Sequence, residues 1–197
     1  VLQLVFPLLA GYTLIGPLVA VGMYELSRRR ERGLDISRRH AFDVLRFGAM
    51  RSIVTLGALL MIVYFLWLFA AQTIYLHFMG ATPPHSIGQF ISQILTTPSG
   101  WALIVVGNGV GFIFAAGVFS LSVVSFPLLL DRDIGVLAAA VTSVRAVRAN
   151  LMPMAAWGVI VALSLGLGAL PFFVGLTVAL PVLGHATWHL YRKLVTF

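Results

Sequence analysis

From Ser52 to Leu130 the chain carries no Asp, Glu, Lys or Arg, and from Ala149 to Tyr191 it again carries none. No soluble fold can hide stretches of that length, and lipid must surround them. Inside a bilayer every backbone amide has to be paired within the protein, which leaves helices or closed barrels. Barrel strands alternate apolar and polar residues over about ten positions. The apolar runs here are continuous, so the fold class is all-α: a polytopic transmembrane helical bundle. Composition agrees, with 60% hydrophobic and 10% charged residues, against about 45–50% and 25% in soluble domains.

Five apolar segments follow in order, about residues 2–24, 52–77, 100–125, 154–170 and 172–190. The second is long enough to cross about 30 Å of hydrocarbon at about 1.5 Å per residue. The last two come from one run too long for a single crossing, divided at Gly168-Ala-Leu-Pro171. The third is expected to end near Pro127, and residues 80–99 read as a polar, nearly chargeless connection. The whole of 1–197 is read as one transmembrane domain, with 25–51 and 127–153 as cytoplasmic segments. The first segment begins without an initiator Met or a basic leader, so a preceding stretch is expected.

All 13 basic residues fall in three places: between Glu25 and Arg51, between Asp131 and Asn150, and at Arg192 and Lys193. Five crossings put these three places on one side. The positive-inside tendency makes that side cytoplasmic, with the C-terminus inside and the protein multi-pass in a bacterial inner membrane. The net charge of +7 is then explained by loop retention and by anionic lipid, with no nucleic-acid partner. Two short amphipathic stretches are expected to lie in the membrane interface or to pad this face. One is 36–47, and the other carries Leu137, Val141 and Val144 along one stripe.

An ungapped internal repeat sets Pro7 on Pro171, Gly11 on Gly175, Thr13 on Thr177, Pro17 on Pro181, Tyr24 on Trp188 and Arg28 on Arg192. Both copies run toward the basic side, so they should be parallel, with bends near Pro17 and Pro181. The same alignment places Glu25 opposite His189.

Three blocks carry a family likeness. Gly16-Pro-Leu-Val-Ala-Val-Gly-Met-Tyr-Glu-Leu-Ser-Arg-Arg-Arg-Glu-Arg-Gly33, Phe126-Pro-Leu-Leu-Leu-Asp-Arg-Asp133 and Leu180-Pro-Val-Leu-Gly-His-Ala-Thr-Trp-His-Leu-Tyr-Arg192 resemble a family of proteobacterial integral membrane proteins catalogued as a domain of unknown function. The resemblance implies six helices in the full protein, one of them ahead of Val1, and no established substrate or reaction.

Candidate chemistry is sparse. His185 and His189 share a helical face and could in principle meet a metal, but two ligands make no site, and hydrogen bonding near the interface beside Trp188 and Tyr191 is the simpler expectation. Asp131-Arg132-Asp133 reads as local ion pairing or capping. With no cysteine, no phosphate-binding glycine loop and no serine matched to a base, neither an enzyme nor a cofactor is expected. Asn108, among Gly107, Gly109 and Gly111, is the polar group deepest in the third segment and suits close helix packing. The favoured function is an accessory or structural subunit of a larger membrane protein assembly, contacting lipids on its remaining surface. The alternative is a carrier or channel for a neutral or lipid-like solute.

Overall fold

The computed structural model describes residues 20–35, 37, 50–81, 86–170 and 174–195, and all regular structure among them is helical. In chain order these are α1 (the described part, 20–31), α2 (Met50–Met79), α3 (Ile87–Thr96), α4 (Pro98–Ser122), α5 (Ser125–Asp131), α6 (Val136–Ala149), α7 (Leu151–Ala169) and α8 (Leu176–Leu194). The chain divides into two compact units. One contains Leu60–Val118; the other contains Phe119–Phe197 with the described part of Ile15–Leu59.

Within the first unit, Trp67 of α2 lies over Gly111 of α4, where an added Cβ would sit 3.1 Å from the indole, and its ring meets Phe114 at 5.7 Å. Phe69, Phe112 and Ile113 point outward, the pattern expected of side chains that meet acyl chains. The connection expected at 80–99 contains a helix, α3. Ser86 caps it, its Oγ accepting from the Gln89 N–H at 3.1 Å, and Ile87, Phe90, Ile91, Ile94 and Leu95 recur at helical spacing. Phe90 meets the buried Tyr75 of α2 at 6.3 Å. Thr97 then caps α4, accepting from the Gly100 N–H at 3.0 Å, with Pro98 as its first residue.

The second unit holds the densest core. Leu56, Val124, Phe126, Leu128, Met154 and Trp188 are fully buried there. The apolar run of α4 breaks at Val123-Val124, one turn ahead of Pro127, which has no N–H to continue the ladder. Ser143 of α6, itself fully buried, bridges the break: its Oγ accepts from the Val124 N–H at 3.2 Å and donates to the Ser120 carbonyl at 2.7 Å. That satisfies backbone groups which lipid could not. The α6 stripe turned inward is therefore Ala139, Ala140, Ser143 and Val147, small enough for close approach to α5 and α7. Leu137, on the apolar stripe read from the sequence, is 79% exposed, and Val141 also faces out, as side chains of an interfacial stripe do. The other amphipathic stretch, 36–47, lies outside the described residues except for Ser37.

The hairpin between α7 and α8 turns where the sequence suggests. Gly168 and Gly175 approach so closely that a Cβ on Gly175 would lie 2.8 Å from the Gly168 Cα. Among the described residues three helical stretches are long and apolar enough to cross a membrane: Met50–Met79, Pro98–Asp131 and Leu151–Ala169. The expected count was five. Of the two others, 2–24 lies almost wholly outside the described residues. The last, α8, falls short because His185, His189, Arg192 and Lys193 occupy its second half.

Candidate functional site: a charged cap joining three distant segments

α1 ends in a Schellman turn. Gly33, at φ +64°, donates to the Arg30 carbonyl at 3.2 Å, and Leu34 donates to the Arg29 carbonyl at 3.0 Å. Only a residue without Cβ adopts that φ cheaply. The turn leaves Glu25, Arg28 and Arg32 along one side of the last helical turns, with Ser27 and Glu31 beside them.

All of these side chains except Glu25 reach another part of the second unit. Arg28 pairs with Glu25 at 2.7 Å and donates to the Leu130 carbonyl at 2.8 Å, a cation at the C-terminal end of α5. Asp131 gathers three donors: Arg32 on Oδ1 at 3.0 Å, the Tyr191 hydroxyl on Oδ2 at 3.0 Å and Arg192 on Oδ2 at 3.4 Å. Glu31 receives Arg192 at 3.3 Å and stands 3.7 Å from the His189 ring. Arg28, Glu31, Arg32, Asp131, Arg132 and Arg192 line an open cleft of about 430 Å³.

Burial pushes the Glu25 carboxyl above the usual carboxylate range, while Arg28, followed by Arg29 and Arg32, pulls the other way. The close pair with Arg28 thus favours the charged carboxylate against its burial.

The cap is where α1 and α8 meet. Gly184 faces Met23 and the Ala20 carbonyl, the Tyr24 hydroxyl bonds Thr187, Ser27 bonds the His185 ring, and Glu31 reaches Arg192. From Met23 against Gly184 to Glu31 against Arg192 both helices advance by eight residues, so α1 and α8 run in the same direction through this region. The repeat places Ala20 on Gly184 and Arg28 on Arg192; the described ends of its two copies therefore pack side by side. Pro17 and the comparison of its bend with that at Pro181 lie outside the described residues; Pro181 itself sits inside α8.

The residues singled out in the sequence fare differently. Glu25 is buried at 1% exposure and faces Arg28, not His189. His189 is largely exposed, with Glu31 as its acidic neighbour. His185 is held by Ser27, whose Oγ also lies 3.0 Å from the Met23 carbonyl. The serine has one proton for these two neighbours, and the imidazole tautomer sets which of them receives it. A serine thus does have a histidine beside it, a pairing the sequence reading did not make. Among the described residues no three His, Cys, Asp or Glu side chains gather as metal ligands.

Trp188 is not an interfacial anchor: it is completely buried and packs on Tyr191 with ring centroids 5.5 Å apart. Nor is Asp131 locally paired, because its partners lie 99, 60 and 61 residues away in sequence. Asn108 stands apart from the cap, exposed on α4, its amide donating to the Ile104 carbonyl of its own helix at 2.7 Å.

Helices with long apolar stretches and one end closed by ion pairs define the class: a multi-pass helical membrane protein. The chain belongs to the family described as predicted integral membrane protein DUF2189, whose model matches residues 5–131. No curated protein and no solved structure matches it.

Proposed function

We propose that this chain is a non-catalytic accessory or structural subunit that packs through its membrane helices against a larger membrane protein assembly. Asn108 carries the reading. It lies within the apolar stretch Pro98–Asp131, yet its side chain is exposed and bonds only its own helix among the described residues. In hydrocarbon an amide facing outward with further hydrogen-bonding capacity is costly, and a neighbouring helix relieves that cost by about 0.6 to 1.7 kcal/mol. Gly107 and Gly109 beside it have open space around them, which lets a partner backbone come close.

The reading includes five crossings of a bacterial inner membrane, with the charged cap and C-terminus in the cytoplasm. If α7 crosses, then α8, of equal length and folded back on it at Gly168 and Gly175, returns across the same about 28 Å. Its polar residues are compatible with that path because Thr187 and Tyr191 are buried against protein and His185 bonds Ser27. The described part of α1 runs parallel to α8.

Purification from native membranes in a mild detergent should recover a membrane protein partner in fixed stoichiometry, and Asn108→Leu should lose that partner while leaving the melting temperature of the isolated chain within a few degrees. A monodisperse chain with no partner, which moves a neutral solute when placed in liposomes, would support the carrier reading instead.

A further inference from the structure

We propose that the cleft at the charged cap binds the negatively charged phosphate group of a lipid headgroup, with the lipid's acyl chain lying along the outer face of α8. Four guanidinium groups and two carboxylates line the cleft. Those carboxylates are already shared: Asp131 among Arg32, Arg192 and Tyr191, and Glu31 between Arg192 and His189. Arg28 is held by Glu25 and the Leu130 carbonyl, and even with Glu25 counted, four guanidiniums stand against three carboxylates, which leaves a net positive lining suited to an ionised phosphate. The cations are all arginine, whose planar forks grip phosphate in two places and keep their charge when partly desolvated. The carboxylates hold the forks of Arg32 and Arg192 in position before any ligand arrives. About 430 Å³ accommodates a substituted phosphate such as a phosphoglycerol headgroup and remains open on one side for it to enter.

A second observation favours lipid as the source of the phosphate. Val178, Val182, His189 and Arg192 fall on one face of α8 at about 100° per residue, and all four are exposed, Val178 at 67% and Val182 at 60%. Val178 and Val182 thus expose an apolar patch on the face of α8 that carries His185, His189 and, about 15 Å beyond Val182, the guanidinium of Arg192, a separation an acyl chain can span. Free phosphate could use the guanidiniums but would gain nothing from the patch. Basic pockets at the ends of membrane helices are suited to anionic headgroups for the same electrostatic reason.

The test uses the full chain purified in a maltoside detergent, which contains no phosphate, with phosphatidylglycerol, phosphatidylcholine or inorganic phosphate added separately. Phosphatidylglycerol should raise the melting temperature, and one molecule should stay bound in native mass spectrometry. Phosphatidylcholine, whose ammonium cancels the phosphate charge, should do neither. The double substitution R32Q/R192Q should weaken phosphatidylglycerol binding at least about tenfold, as expected when charge-assisted hydrogen bonds are lost. R32K/R192K, which keeps charge and folding but loses the forks, should weaken it several-fold. Stabilisation by inorganic phosphate equal to that by phosphatidylglycerol, and lost in R32Q/R192Q, would support the phosphate site and overturn the lipid as its source. No response to either ligand, or binding of phosphatidylglycerol that both variants leave unchanged, would overturn the proposal.

Discussion

Asp131→Ala should lower the unfolding free energy in detergent by about 2–4 kcal/mol. The Asp131 side chain is 9% exposed and, at the end of α5, accepts from both α1 and α8. Its pairs with Arg32 and Arg192 contribute little, because those side chains are 50% and 46% exposed and solvent screens them to about 0–1 kcal/mol each. The larger share comes from Tyr191, whose ring is buried and whose hydroxyl would lose its acceptor, a loss of about 1–3 kcal/mol. Asp131→Asn keeps an acceptor oxygen for Tyr191 and should recover at least half of the loss. Tyr191→Phe should cost less than Asp131→Ala, and the double substitution less than the sum of the two. Thermal or denaturant unfolding of these four variants checks the ordering; additive losses would show that Tyr191 and Asp131 do not share one interaction.

Gly184→Ala should be nearly as damaging, by about 1–3 kcal/mol, although it adds one methyl group. A Cβ at Gly184 would stand 2.6 Å from the Cβ of Met23 and 3.2 Å from its Cγ. Met23 cannot relieve this by swinging its flexible end, because the clash is at the base of the side chain; α1 and α8 must separate. Separation would also stretch the Ser27 to His185 hydrogen bond and the Glu31 to Arg192 pair one and two turns further on. Gly166→Ala is the control, since nothing lies within 4 Å of its added methyl group. There the substitution should be neutral or stabilise α7 by up to about 1 kcal/mol. Equal melting temperatures for the Gly184 and Gly166 variants would contradict the close contact of α1 and α8.

Much of the architecture was legible because lipid imposes a simple rule on long apolar runs. The limits of α2 and the division of the 154–190 run follow from run length and glycine, while the end expected near Pro127 falls at Val123-Val124, with Pro127 itself inside α5. α3 was missed because the serines, threonines and prolines around it dominate the composition, although Ser86 and the spacing of Ile87, Phe90, Ile91 and Ile94 carry its signal. The inward stripe of α6 was not read from the sequence. Hydrophobicity selects Leu137 and Val141, which face outward, whereas close packing and the broken end of α4 select Ala139, Ala140 and Ser143.

At the cap, the gathering of basic residues into three segments was visible, and so was the parallel course of the chain at 20–31 and at α8. The partners were not. Nothing in the spacing of Asp131 from Arg32, Tyr191 and Arg192 announces that they meet; only the packing of α1, α5 and α8 brings them together. Helical spacing instead favoured the regular pair His185 and His189, which take unrelated partners.

The central claim is that the three basic segments end together on one side of the membrane as a single ion-paired cap. The chain has no cysteine, so single cysteines at Arg30, Asp133, Lys193 and Ser86, all exposed, can be tested one at a time with a membrane-impermeant maleimide on intact cells and on inside-out vesicles. The cysteines at 30, 133 and 193 should react only in the inside-out vesicles and the one at 86 only on intact cells. Labelling of any of the first three from the side opposite to the other two would contradict the claim.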